Sequence, residues 1–245
     1  MERDIQIQAV VTASSAFGEM HRSVTLFSKQ LGLIKAVVYG GRKGKKVSLA
    51  PLFSYGSFQL YHNPVKDEYS LIEEQSCFTA ENIKSDLKAT YTASYFCEVV
   101  NTINTDEPER TYELLKDALT TLDENIELQR KTIIDFTWQF LRISGLGADL
   151  RFCPGCDRKL DDNQILFFSS SMITPVCEDC SDTDSISLTP GARRYLIYTS
   201  TMSFEQAFKV ELLEGATAKL STFLLKWISV FSQYPLKTLK SNILL

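Results

Sequence analysis

Apolar and polar residues alternate near the amino end. Ile5, Ile7 and Ala9 interleave with Gln6 and Gln8, a period of two that predicts a half-buried strand. Short apolar runs follow at 23–27, 33–39, 52–60 and 69–73, separated by the turn formers Gly18, Gly32, Gly40-Gly41, Gly44, Pro51 and Asn63-Pro64. About five short strands with glycine-rich corners predict a small closed barrel of the OB type. A five-stranded SH3-like barrel reads almost the same.

The period then changes. Ile83, Leu87, Tyr91, Tyr95 and Val99 recur every four residues, one side of a helix started by Thr79 or its neighbours. Asp106 is placed to cap a second helix with Pro108 in its first turn and Leu114, Leu115, Ala118 and Leu122 inward. A third presents Ile133, Phe136, Phe140 and Leu141 and ends near Ser144-Gly145, with Gly147 beyond. Residues 150–182 lose the helical rhythm. Thr189-Pro190 then opens a helix carrying Tyr195, Leu196 and Tyr198. A final helix over about 215–233 aligns Leu220, Phe223, Leu224, Trp227, Ile228 and Phe231, a stripe best read as core. The fold class expected is α+β multidomain. A barrel is expected over 1–78 and an α-helical domain over 79–245, with 150–182 as an inserted module.

Charge changes the picture more than composition does. The formal net charge of −4 argues, taken globally, against nucleic acid. Yet Arg22, Lys29, Lys35, Arg42, Lys43, Lys45, Lys46 and Lys66 fall in a stretch, 20–66, without one Asp or Glu. A basic face on an acidic body is what a polyanion binder needs. Tyr39-Gly40-Gly41-Arg42-Lys43-Gly44-Lys45-Lys46 fails the P-loop pattern, because Tyr39 stands where the first glycine belongs and Lys46 follows Lys45. Its cations suit non-specific phosphate contact or, in the plainer reading, a solvated turn. Phe17, Phe27, Tyr39, Phe53, Tyr55 and Phe58 flank it as candidate stacking surfaces, though most such aromatics are barrel core.

Four of the six cysteines form two CxxC pairs, Cys153-Pro154-Gly155-Cys156 and Cys177-Glu178-Asp179-Cys180, with 20 residues between them. Each pair bends into a knuckle whose sulfurs converge, and the segment between, with Ile165-Leu166-Phe167-Phe168, can return as a hairpin. Two facing knuckles give the sulfur shell that zinc prefers. Four protein ligands leave no open position, so the ion expected is one structural Zn2+. An iron–sulfur cluster and metal-free thiols remain alternatives. Cys77 and Cys97 read as packing residues. No run of roughly 18 apolar residues predicts a membrane helix, and Met1-Glu2-Arg3-Asp4 leads into the first strand rather than a signal-peptide core, so a cytoplasmic protein is expected. His21 and His62 sit in no ligand motif, GxSxG and GxGxxG are absent, and Asp123-Glu124 and Asp161-Asp162 read as solvated loop charges. Catalysis is not expected.

The order of these features resembles the RecO family across essentially the whole chain. Phe17-Gly18-Glu19, Val24-Thr25-Leu26-Phe27-Ser28 and Gly32-Leu33 are similar to its first barrel hairpin, and Val37-Val38-Tyr39-Gly40-Gly41-Arg42-Lys43 to its basic turn. Pro51-Leu52-Phe53 and Glu73-Glu74 echo later barrel positions. Trp138-Gln139-Phe140-Leu141 and Gly145-Leu146-Gly147 resemble the helix that leads into the first CxxC, and Leu239-Lys240-Ser241 the usual ending. Ser14 and Ser15 stand near an expected Arg, and Thr174-Pro175-Val176 where paired glycines are common. The resemblance implies a nucleoid-associated, non-enzymatic recombination mediator that binds single- and double-stranded DNA and anneals complementary strands. With RecR it would help load RecA onto DNA coated by single-strand-binding protein, whose C-terminal tail would dock on the helical domain. Some members lack the cysteines, which implies that zinc is dispensable for the core activity. A protein–protein adaptor and an RNA-binding zinc protein are the other readings.

Overall fold

The computed structural model describes residues 4–182, 186–241 and 243–244; the amino-terminal Met1-Glu2-Arg3 of the sequence reading lies outside them. Five strands, β1 (Asp4–Phe17), β2 (His21–Ser28), β3 (Gly32–Val38), β4 (Tyr55–Asn63) and β5 (Glu68–Phe78), form a closed barrel in the order β1-β2-β3-β5-β4. All neighbours are antiparallel except β3 and β5, which run parallel where the sheet closes and pair through Ala36 with Tyr69 and Val37 with Ser70. That closure is the OB connection. Ile7, Ala9, Val11, Val24, Leu26, Ala36, Val38, Phe58, Leu60 and Leu71 fill the interior. They alternate with outward residues, as the period of two requires.

Four expectations shift here. The run at 52–60 becomes strand only from Tyr55, because Ala50 and Phe53, on either side of Pro51-Leu52, turn the chain with φ of 49° and 68°. The single helix expected from Thr79 is two, α1 (Glu81–Ser85) and α2 (Leu87–Thr102). Asp86 breaks it, its carboxylate accepting from the Ala89 N–H at 2.7 Å as an N-cap, and Leu87 is left exposed. In α3 (Pro108–Glu124) the cap position falls to Glu107, not Asp106, without a side-chain bond. Asp123 lies in that helix rather than in a loop and accepts from the Ile83 N–H at 2.9 Å.

The remaining helices are α4 (Gln129–Ile143), α5 (Pro190–Thr199), α6 (Phe204–Phe208) and α7 (Glu214–Ser229), with a small sheet ordered β7-β6-β8 from β6 (Leu166–Ser169), β7 (Thr174–Val176) and β8 (Ser187–Leu188). Thr189 caps α5 as expected, and Ser144-Gly145 ends α4, Gly145 at φ +69°. The stripe on α7 is core, with Leu220, Phe223, Leu224, Trp227 and Ile228 buried. No helix among the described residues is long and apolar enough to cross a membrane.

The chain forms two compact units, Met1–Ile126 and Glu127–Leu245. The first joins the barrel to α1–α3. Lys29 on the barrel reaches Glu109 and Glu113 of α3 at 3.1 and 2.9 Å, Tyr55 Oη meets Thr120 Oγ1 at 2.8 Å, and Thr12 Oγ1 meets Asn101 Oδ1 at 2.8 Å. Compactness therefore groups the helices up to residue 126 with the barrel, whereas strand and helix patterning changes at 78. The second unit holds α4–α7 and the cysteine segment.

Candidate metal centre and nucleic-acid interface

The four sulfurs of Cys153, Cys156, Cys177 and Cys180 lie within 4.8 Å of one another, and those of Cys156 and Cys177 are 3.8 Å apart. A tetrahedron with metal–sulfur bonds of about 2.3 Å has an edge of about 3.8 Å, so the quartet could hold one metal ion. β6 and β7 form the returning hairpin between the knuckles. The knuckles approach so closely that a Cβ on Gly155 would lie 3.0 Å from both Cβ and Sγ of Cys180. A side chain there would press on Cys180.

Thiol chemistry points the same way. Burial alone would raise the Cys153 thiol, but N–H groups of Cys177, Gly155 and Cys156 outweigh it and bring its pKa down to about 6. Cys180 is pushed up to about 12, first by its hydrogen bond with Cys177 and then by burial. Cys153 ionises readily while Cys156 and Cys180 resist, because the sulfurs are crowded into mutual hydrogen-bonding contact. A central cation removes that conflict.

Two arginines that sequence reasoning missed hold the module. Arg193 on α5 is buried; its Nε donates to the Leu150 carbonyl at 2.8 Å and its terminal nitrogens to those of Leu160 and Asp161. Arg158 donates to Cys177 Sγ at 3.1 Å and pairs with Asp179. An arginine two residues past a CxxC and another 13 residues past the second carry no signal that separates them from surface charge. Cys97 is buried and Cys77 half-buried, outside the quartet.

On the barrel, the basic loop is tied to the β1–β2 turn. The Arg42 N–H donates to the Met20 carbonyl at 3.2 Å, its guanidinium to the Gly18 carbonyl at 3.1 Å, and the Gly40 N–H to His21 Nδ1 at 3.1 Å. Gly41 folds back onto β3, where a Cβ would lie 2.9 Å from Val38. Beside this turn the strands align three rings. Phe17 pairs with His21 across β1 and β2, and His21 meets Tyr39 edge-on with centroids 5.1 Å apart. Phe17 and Tyr39 are about half exposed, at 51% and 52%. Phe27, Phe53 and Phe58 are buried, while Tyr55 is stacked on Phe78. His21, which sits in no ligand motif, is the middle of the row.

The cations separate into two sets. Lys35, Arg42, Lys43, Lys45 and Lys46 are exposed, and among the described residues none has an ion-pair partner. Lys29 is engaged by Glu113 and Glu109, which raise its pKa. Arg22 points with Val24 and Val38 toward the barrel interior, donates to the Leu49 carbonyl and is lowered by burial. In the second unit, Tyr198, Val210, Leu212, Leu213 and Arg194 line an apolar pocket of about 330 Å³.

Residues 1–77 match a family model described as Recombination protein O N terminal, and residues 84–240 one described as Recombination protein O C terminal. A DNA repair protein RecO of Clostridium acetobutylicum is 26% identical over 227 residues, 91% of this chain and 90% of that protein. One of Clostridium perfringens (strain 13 / Type A) is 24% identical over 240 residues, 94% of each. One of Caldanaerobacter subterraneus subsp. tengcongensis is 24% identical over 217 residues, 86% of this chain and 85% of that protein.

Proposed function

The chain belongs to the RecO family of DNA repair proteins, and we propose that it binds single- and double-stranded DNA through the barrel, residues 4–78, and promotes annealing of complementary strands. The observation that carries this reading is the row Phe17–His21–Tyr39 set beside Arg42 and its loop. Rings exposed at a sheet surface offer π-faces to unstacked bases, and adjacent cations hold the backbone. OB barrels use this strand face and its loops for oligonucleotides. Lys35, Arg42, Lys43, Lys45 and Lys46 are the phosphate contacts; Arg22 and Lys29 are spent inside the unit.

Annealing needs no bond chemistry. A cationic surface that gathers two polyanions releases their counterions and lowers their repulsion, so pairing is accelerated by concentration and charge neutralisation. In the cell this activity acts on DNA coated by single-strand-binding protein, with RecR, toward loading of RecA. The apolar pocket with Arg194 at its rim suits an acidic, hydrophobic C-terminal tail of that coating protein. Cys153, Cys156, Cys177 and Cys180 hold one structural zinc. Four sulfurs this close leave room at their centre for a single ion and none for a multi-iron cluster.

Fluorescence-quenched annealing of complementary oligonucleotides, bare and coated with single-strand-binding protein, tests the proposal. The protein should accelerate both. Failure to bind or anneal DNA at near-physiological salt, with binding to acidic peptides retained, would transfer the function to an adaptor. A marked preference for RNA strands would transfer it to RNA.

A further inference from the structure

One residue touches three of the four cysteines. The Arg158 guanidinium donates to Cys177 Sγ at 3.1 Å. Its main-chain N–H donates to the Cys156 sulfur, and its carbonyl accepts from the Cys153 N–H at 3.0 Å. Its remaining partner is Asp179, which lies between Cys177 and Cys180 in the other knuckle. Arg158 thus belongs by sequence to the first knuckle and by its side chain to the second.

Charge gives that position a purpose. Four thiolates around one divalent ion leave a net charge of −2, carried on sulfur. Cys177 is fully buried, so water does little for its share. A guanidinium N–H on that sulfur offsets one charge and occupies a lone pair that would otherwise attack electrophiles. Asp179 fixes the guanidinium in place, as the outer partners of metal ligands commonly do.

We infer that Arg158 is a positioning residue of the metal centre, a clamp that joins the two knuckles and neutralises the Cys177 thiolate, with Asp179 orienting it. The inference rests on the zinc reading above. Its consequence is kinetic as well as thermodynamic: the ion should leave faster, and Cys177 should react sooner, when the guanidinium is removed.

The test uses the full chain, purified without chelators, with zinc measured by elemental analysis and its transfer to a chromophoric chelator followed in time. Arg158→Met keeps much of the stem and removes charge and donors; Arg158→Lys keeps the charge. Wild type should carry about one zinc per chain. Arg158→Met should bind it about 10–100-fold more weakly, and Arg158→Lys should recover part of the loss. In cobalt-loaded protein the sulfur-to-metal charge-transfer absorption should move in the Met variant and stay near wild type in the Lys variant, a signature that general loosening would not give. Zinc-free wild type would sink the metal reading and the clamp with it. Zinc-loaded wild type with a Met variant of equal affinity, release rate and cobalt spectrum would sink the clamp alone. Should the Met variant not fold by circular dichroism, Asp179→Asn decides by the same criteria, with a smaller expected loss.

Discussion

Removing the four loop cations, Arg42→Ala with Lys43→Ala, Lys45→Ala and Lys46→Ala, should flatten the salt dependence of binding to single-stranded DNA by a calculable amount. All four side chains are exposed and without an ion-pair partner among the described residues. Each neutralised phosphate on a single strand contributes ~0.7 to the slope of log affinity against log salt, so four contribute ~2.8. Over a fourfold rise in salt that is a factor of about 50 in affinity, which the variant should no longer lose. Lys29→Ala is the internal control. Its ammonium already lies 3.1 and 2.9 Å from Glu109 and Glu113, so it has no counterion to release and its removal should leave the slope unchanged. Fluorescence anisotropy titrations at several salt concentrations measure both. Equal slopes for wild type and the quadruple variant would refute the loop as a phosphate site. A fall in slope for Lys29→Ala as large as that for Lys43→Ala alone would refute the division of the cations into free and engaged.

Tyr39→Ala and Phe17→Ala should each cost about 1–3 kcal/mol in single-strand binding, with little change for duplex, in the same titrations. Cys153→Ser, or zinc removal by a strong chelator, should raise amide hydrogen exchange across 150–182 while leaving exchange in the barrel unchanged, because the barrel interior is closed by its own residues. Burial works against the Glu113 carboxylate, but hydrogen bonds from Lys116 and Lys29 hold its pKa below the ordinary 4.5. Its contribution is therefore complete above that value and lost as pH falls through the lower folded value. Glu113→Gln should cost no more than about 1 kcal/mol in urea melts near neutrality, a difference that vanishes in acid.

The barrel and the cysteine quartet were legible in the sequence because both are locally encoded. A period of two with glycine corners specifies strands wherever they end up, and a CxxC knuckle is a local turn. Helix limits were less so. The four-residue rhythm from Ile83 to Val99 runs straight across Asp86, whose carboxylate finds the Ala89 N–H and divides the helix. Leu52 and Phe53 have the hydrophobicity of a strand, but Pro51 and two positive φ angles turn them aside. The cations were legible as charge and not as position. Arg22 and Lys35 share the acid-free stretch, yet strand parity sends one toward the interior and the other outward. Lys29 is neutralised by glutamates 80 and 84 residues away, which no local pattern announces. Arg158 and Arg193 were invisible for the same reason: their partners are carbonyls, a sulfur and the Asp179 carboxylate, brought near only by the fold.

The barrel is fastened unequally around its circumference. β1, β2 and β4 share long antiparallel ladders, whereas β3 and β5 meet through two residue pairs. If the cylinder breathes, this seam is where it opens. Lys35 stands next to the seam and Tyr39 just past the end of β3, so β3 can tilt there without unzipping its ladder to β2. A polymer lying across β2 and β3 would then meet one rigid wall and one yielding wall, an arrangement suited to holding a strand while a second one searches for register against it.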